Sequence, residues 1–182
     1  MKTKKKQTEA IEAGRGSIQT DLFKLYHACM KNAYSLTEEA KLLLKHGHNA
    51  RAFFLALTAY EEIGKAQLTA DYITDCVSVE EFERAFKDHD LKMAYNQRYI
   101  SLSQETKGEA TLEYDLREVK SFVRARMKSL YVSKHALCPQ LPSALFTEEA
   151  AAEMIESVIE ELISIKYAEW LNQRIGSKGL FK

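Results

Sequence analysis

The residues best equipped for chemistry stand together in Tyr60-Glu61-Glu62-Ile63-Gly64-Lys65, inside an otherwise apolar stretch. Phe54, Leu57, Glu61, Gly64 and Leu68 recur three and four residues apart, the spacing of one helix face. Glu61 therefore falls on the buried stripe. A carboxylate removed from water needs a cationic partner or a polar cleft. Two readings follow. In one, an ion-pair network joins Glu61 to Lys65, four residues on, or to an arginine such as Arg51 or Arg126. In the other, Glu61, Glu62 and Lys65 form the polar floor of a cleft that receives a substrate or partner. Gly64 has no Cβ, and in mid-helix it invites close approach of another backbone.

A second stretch is basic. Between Arg117 and His135 there are six Lys/Arg and one Glu. Arg117, Lys120, Arg124, Arg126 and Lys128 are candidates for contacting RNA phosphates, against the alternative of cations gathered at a helix C-terminus. His46-Gly47-His48-Asn49 has no acidic or cysteine partner nearby and reads as a tight turn, not a metal site. Cys29, Cys76 and Cys138 are odd in number and widely spaced, as expected of small apolar residues in a reducing cytosol and not of zinc ligands. There is no glycine-rich phosphate loop, no Gly-x-Ser-x-Gly and no Glu-x-x-His pair on two helices, so no metal and no cofactor is expected.

Helices must position these groups. Only two prolines, both near residue 140, and seven glycines in 182 residues argue for long helices. The spacing predicts a first helix over 17–46, with Ser35-x-x-Glu38 as a candidate break and Gly47 as the residue that ends it. A second helix follows over 49–75 as an antiparallel partner. Ser78 caps a third, which carries Val79, Phe82, Phe86, His89 and Met93 as its apolar stripe and extends to about Ser103. A polar loop over 104–111 precedes a fourth helix over 112–127, with Leu112, Leu116, Val119 and Val123 on one face. The stretch 129–146, holding Pro139 and Pro142, cannot be helical throughout. Thr147 caps a last helix that buries Ile155, Val158, Leu162 and Ile165. No strand strong enough to build a sheet is expected. The fold class is all-α, an antiparallel bundle of about five helices.

The domain organisation expected is a flexible basic arm over 1–16, one helical domain over 17–175 and a tail over 176–182. The arm carries five Lys/Arg against two Glu, within a chain whose formal charge is zero. That balance gives no global field toward nucleic acid. The basic N-terminus lacks the apolar run of a signal peptide, and the longest apolar run is too short to span a bilayer. A cytoplasmic protein without membrane contact is expected. The long first helix and Gly64 point to a homodimer.

The chain also resembles a known family. Asn32-Ala33, Ala40-Lys41-Leu42-Leu43-Leu44, Gly47, Arg51-Ala52 and Ala59-Tyr60-Glu61-Glu62-Ile63-Gly64-Lys65 look like the AbiV family of bacterial abortive-infection proteins, a branch of the HEPN-like helical domains. Phe86-Lys87-Asp88-His89-Asp90-Leu91-Lys92 and Arg126-Met127-Lys128-Ser129-Leu130-Tyr131-Val132 fit in the same order. The resemblance implies a homodimeric phage-defence effector that arrests translation and is controlled by a phage-encoded protein. HEPN ribonucleases use Arg-x4-6-His without metal, and Arg84-Ala85-Phe86-Lys87-Asp88-His89 matches that spacing. Arg84 and His89 are accordingly the catalytic candidates. Five helical residues rotate by ~140°, so the two share a face only if the helix ends near Asp88. Arg126 and Tyr131 are the alternative pair, with Tyr in the place of His; a phenol is a poor base at neutral pH but can hydrogen-bond a phosphate. The candidate mechanism is RNA binding or cleavage in a dimer cleft lined by Arg84, His89, Arg126 and Tyr131. From a different class comes a non-enzymatic helical module that binds a phage protein or the translation machinery. An adaptor without toxicity is the third reading.

Overall fold

The computed structural model describes residues 2–95, 99–102, 110–113, 116–135 and 138–170, with side chains over 20–95, 120–133 and 138–167. Two long helices organise it, α1 (Lys2–Lys45) and α2 (Asn49–Ile73). They are joined by a turn in which Gly47 adopts φ +74°. There the His48 N–H donates to Leu43 O at 2.9 Å and the Gly47 N–H to Leu44 O at 2.9 Å. This pair of bonds satisfies carbonyls that the helix end would leave open, and it requires the left-handed backbone that glycine adopts freely. The chain reverses, and α2 returns along α1.

Small residues set the distance between these helices. Ala33 and Ala40 on α1, and Ala52, Ala56, Ala59 and Ala66 on α2, are fully buried. They surround Tyr26, Cys29, Leu57 and Ile63. The last helix, α7 (Glu148–Trp170), closes the core with Val158, Leu162, Ile155 and Ile165, as its periodicity predicts. Thr147 caps it, its Oγ1 accepting from the Ala150 N–H at 3.2 Å.

The middle of the chain departs from expectation. Ser78 caps α3 (Val79–Lys87) as predicted, accepting from the Glu81 N–H at 3.1 Å. The helix does not run on to Ser103. It stops at Asp88, whose side chain accepts from the Asp90 and Leu91 N–H groups at 2.8 and 3.2 Å and starts a separate short helix, α4 (His89–Ala94). An aspartate that captures these free donors offers the backbone an alternative to continued helix. Phe82 and Met93 are buried as the stripe requires, but Val79 is exposed and His89 is not a core histidine. Phe82 stacks on Tyr72 at 4.5 Å in a smaller cluster with Leu68, Ala85 and Tyr95.

Where helix was expected over 99–102 and 112–113, and loop over 110–111, a ladder forms: β1 (Tyr99–Leu102) pairs antiparallel with β2 (Ala110–Glu113), Tyr99 opposite Glu113 and Leu102 opposite Ala110. The helix expected over 112–127 is α5, which starts at Leu116 and runs to Leu130. Most of the loop expected over 104–111 lies outside the described residues. A second ladder pairs β3 (Ser133–His135) with β4 (Cys138–Gln140), followed by the single turn α6 (Pro142–Leu145). Both ladders are two-stranded, so they form no layer and the fold stays all-α. Two further expectations change at the N-terminus. No break occurs at Ser35, and the helical backbone of α1 includes residues 2–16, the segment expected to be an arm. The tail over 176–182 lies outside the described residues.

Candidate functional site

Three helices converge on Glu61. It sits in mid-α2 on the stripe that carries Phe54 and Leu57, and its side chain is 4% exposed. From α4, the His89 Nδ1 lies 2.9 Å from Oε1, and the Lys92 ammonium 3.1 Å from the same oxygen. The three-residue spacing of His89 and Lys92 puts both on one side of α4, facing α2. From α5, Arg126 Nη1 comes within 3.1 Å of Oε2 and 3.3 Å of His89 Nδ1. The Arg126 guanidinium also lies over the Phe54 ring, 5.5 Å from its centroid.

Burial works against ionisation of Glu61, but the hydrogen bond from His89 and the charge of Lys92 outweigh it. The net effect holds the carboxyl below the usual glutamate value, so Glu61 is an anion at neutral pH. This decides the tautomer of His89. An ionised Oε1 only accepts, so Nδ1 carries the proton. Arginine only donates, so the 3.3 Å approach of Nη1 to Nδ1 is a packing contact, not a second hydrogen bond. The imidazole is held by one nitrogen, while its side chain is 54% exposed. The opposite nitrogen, Nε2, is then the acceptor of the neutral ring. Lys92, at 6% exposed, is consumed by the carboxylate. Arg126 is less satisfied: its buried Nε and Glu61 Oε2 lack an aligned hydrogen bond despite the short charge contact. With Glu61 at −1 and Lys92 and Arg126 at +1 each, the cluster keeps one surplus positive charge, suited to an anion.

The geometry redistributes the sequence candidates. His89 and Arg126, drawn from two different candidate pairs, come together. Arg84 is exposed on α3, and among the described contacts none joins it to His89, although α3 ends where the shared-face argument required. Tyr131 is exposed just beyond α5. Of the cations named for Glu61 in the sequence, Arg126 lies within ion-pair distance of it. Lys65 instead pairs with Glu62, at 2.5 Å. Arg51 lies exposed beside His48, Asn49 and Pro142 on a groove of about 510 Å³. It is ten residues from Glu61, ~15 Å along the helix, and so cannot serve it. Lys120, Arg124 and Lys128 point outward from α5, on the side away from Arg126; the side chain of Arg117 lies outside those described. Sequence reasoning did not assign Lys92 or Phe54. The i, i+3 relation of Lys92 to His89 and the seven-residue spacing of Phe54 and Glu61 are the signals that find them.

Among the described residues no group of three or more His, Cys, Asp or Glu side chains is gathered to hold a metal ion, and no helix is long and apolar enough to cross a membrane.

Fold and site together define an all-α domain of the HEPN type, with a buried carboxylate that orients a histidine beside an arginine. The AbiV family model matches residues 21–162, and the chain belongs to that family. All four cluster residues, Glu61, His89, Lys92 and Arg126, fall within the matched span. Membership supports a role in abortive infection, a form of phage defence, at the level of the family. Comparison with curated proteins and with solved structures returned no match.

Proposed function

We propose that this protein is an abortive-infection effector that cleaves RNA at the Glu61–His89–Arg126 cluster and thereby arrests translation in the infected cell. The observation that carries the reading is the half-exposed His89 ring, anchored through Nδ1 to an ionised carboxylate at 2.9 Å and flanked by Arg126. Nε2 takes the proton of a ribose 2′-OH. The 2′-oxygen then attacks the adjacent phosphorus, and the bond to the 5′-oxygen breaks. The leaving oxygen gains a proton from water, and the imidazolium gives its proton to the hydroxide so formed, which leaves a 2′,3′-cyclic phosphate, a 5′-hydroxyl and a neutral His89. Arg126, beside the ring, supplies the positive charge that stabilises the phosphorane oxygens in this reading. Glu61 is a positioning residue: it fixes the tautomer and balances the imidazolium as it forms. Neither a metal nor a cofactor enters these steps. A homodimer and control by a phage-encoded protein complete the proposal, on the strength of the family.

A second reading, a non-enzymatic helical module that binds a phage protein or the translation machinery, draws on the lack of a contact between Arg84 and His89 among those described and on the capture of Lys92 and Arg126 by Glu61. Incubation of purified protein with total RNA separates the two. Cleavage by the wild type, lost in His89→Ala, retained in Arg84→Ala, and yielding cyclic phosphate ends, supports the ribonuclease. The absence of cleavage from a folded protein that still arrests growth in cells sinks it in favour of the binding module.

A further inference from the structure

We propose that the outer face of α5 is a binding surface for single-stranded RNA, distinct from the Glu61–His89 cluster. Lys120, Arg124 and Lys128 are all exposed and stand four residues apart. Successive cations rise by ~6 Å along the axis and rotate by only ~40°, so they form one stripe ~12 Å long. Tyr131, three residues further, falls within the angular range of that stripe just past its end; its N–H still donates to Met127 O at 3.1 Å, which keeps it on the helical path. Tyr131 and Met127 are 57% and 54% exposed. Arg126 lies two residues from Arg124, ~200° around the helix, and faces Glu61 instead. One helix thus presents its cations to two opposite sides.

None of Lys120, Arg124 and Lys128 enters an ion pair among the described residues, unlike Lys24, Lys41, Lys65 and Lys87, each of which pairs with a carboxylate three or four positions away. Like charges at i, i+4 repel, and the stripe contains two such pairs in succession. The helix dipole accounts for Lys128 in the last turn, but its influence does not reach Lys120 and Arg124 in the middle of the helix. A bound polyanion removes this repulsion. A linear row of cations tracks a phosphate backbone, and exposed Tyr131 offers a stacking surface for a base, with Met127 as its apolar neighbour one turn earlier. A duplex hides its base faces, so the apolar members of the stripe favour a single strand. The choice of RNA over DNA rests on the 2′-OH chemistry proposed for His89; the stripe itself does not.

The test is fluorescence anisotropy with a labelled 2′-O-methyl RNA 12-mer, which lacks the attacking hydroxyl and so reports binding without cleavage. Wild-type protein binds the single strand with a steep salt dependence. Lys120→Gln/Arg124→Gln/Lys128→Gln removes three phosphate contacts and flattens the slope of log K against log salt by about 2, since each contact on a single strand contributes ~0.7. That difference corresponds to a wild-type excess in salt sensitivity of roughly 16-fold between 50 and 200 mM. Tyr131→Ala weakens single-strand binding by at least about fivefold and leaves binding of a hairpin duplex unchanged. An unaltered affinity and slope in the triple variant overturns the proposal. So does equal binding of polyglutamate with the same losses, which marks a surface for acidic protein instead. Cleavage of unmodified RNA is scored separately. Loss of binding in the stripe variants with cleavage indifferent to His89 removes the catalytic assignment and keeps the stripe; the converse removes the stripe alone.

Discussion

Replacing Glu61 by glutamine keeps the shape of the side chain and removes its charge. In the wild type, Lys92 Nζ and Arg126 Nη1 each lie 3.1 Å from a Glu61 oxygen. At the effective dielectric of about 20 that suits protein sites, each contact is worth roughly 5 kcal/mol of Coulomb attraction before desolvation. Desolvation offsets much of this while the pairs are intact, but removing one partner strands the other charges. Breaking a buried pair costs ~3–5 kcal/mol. Because the amide still accepts a hydrogen bond, the lower end, ~3 kcal/mol, is expected for Glu61→Gln. In a domain of this size that lowers Tm by roughly 6–12 °C. Lys92→Met alone leaves Glu61 paired with Arg126. The double variant recovers part of the loss, with a coupling of ~1–3 kcal/mol in a denaturation cycle. The pH dependence gives an independent check. The folded carboxyl titrates below its ordinary value of 4.5, so below that pH the unfolded chain binds more protons than the folded one. The stability from Glu61 is present above the unfolded value and lost as pH falls through the folded one. The gap between wild type and Glu61→Gln should therefore close as pH drops below 4.5. A Glu61→Gln protein within ~1 kcal/mol of wild type at pH 7, or strictly additive effects with Lys92→Met, would refute the buried-cluster argument.

Gly47→Ala tests the turn that aligns α1 with α2. No atom stands within 4 Å of the added Cβ, so only the φ of +74° resists it. A loss of about 1 kcal/mol is expected in urea denaturation, and no loss would deny that the left-handed backbone matters. The cysteines should separate by environment under iodoacetamide at pH 8, followed by peptide mass spectrometry. Cys138 is exposed, whereas the Cys29 thiol is buried and pushed up to about 12, by burial first and then by the negative charge of Glu62. Only on the order of 10⁻⁴ of Cys29 is thiolate at that pH, so Cys138 should label first and Cys29 only after unfolding. Labelling of Cys29 in the native protein at a comparable rate would contradict its placement between α1 and α2.

Local chemistry made much of the scaffold legible in the sequence. Gly47, Ser78 and Thr147 each satisfy backbone groups within a few residues of themselves, so the limits they set on α1, α3 and α7 needed no tertiary information. Periodicity alone placed Glu61 on a buried face and identified Ile155, Val158, Leu162 and Ile165 as core. Asp88 shows where local reading stops: its competing hydrogen bonds were available in the sequence, yet the continuing apolar stripe argued for one helix. The ladders at 99–102 and 110–113 were less legible still, because two short strands carry little pattern of their own and depend on each other. The sequence by itself determined that a carboxylate falls on the buried face of α2 and needs either a cationic partner or a polar cleft. Tertiary structure decided which cations. Lys65 is near in sequence but turns to Glu62, while His89, Lys92 and Arg126 arrive from helices whose docking depends on packing across the whole bundle. The same packing decided which side of α5 faces inward, and so separated Arg126 from the cations beside it in the chain. Which cations reach Glu61 is settled by packing between helices, and spacing within any one helix does not encode that.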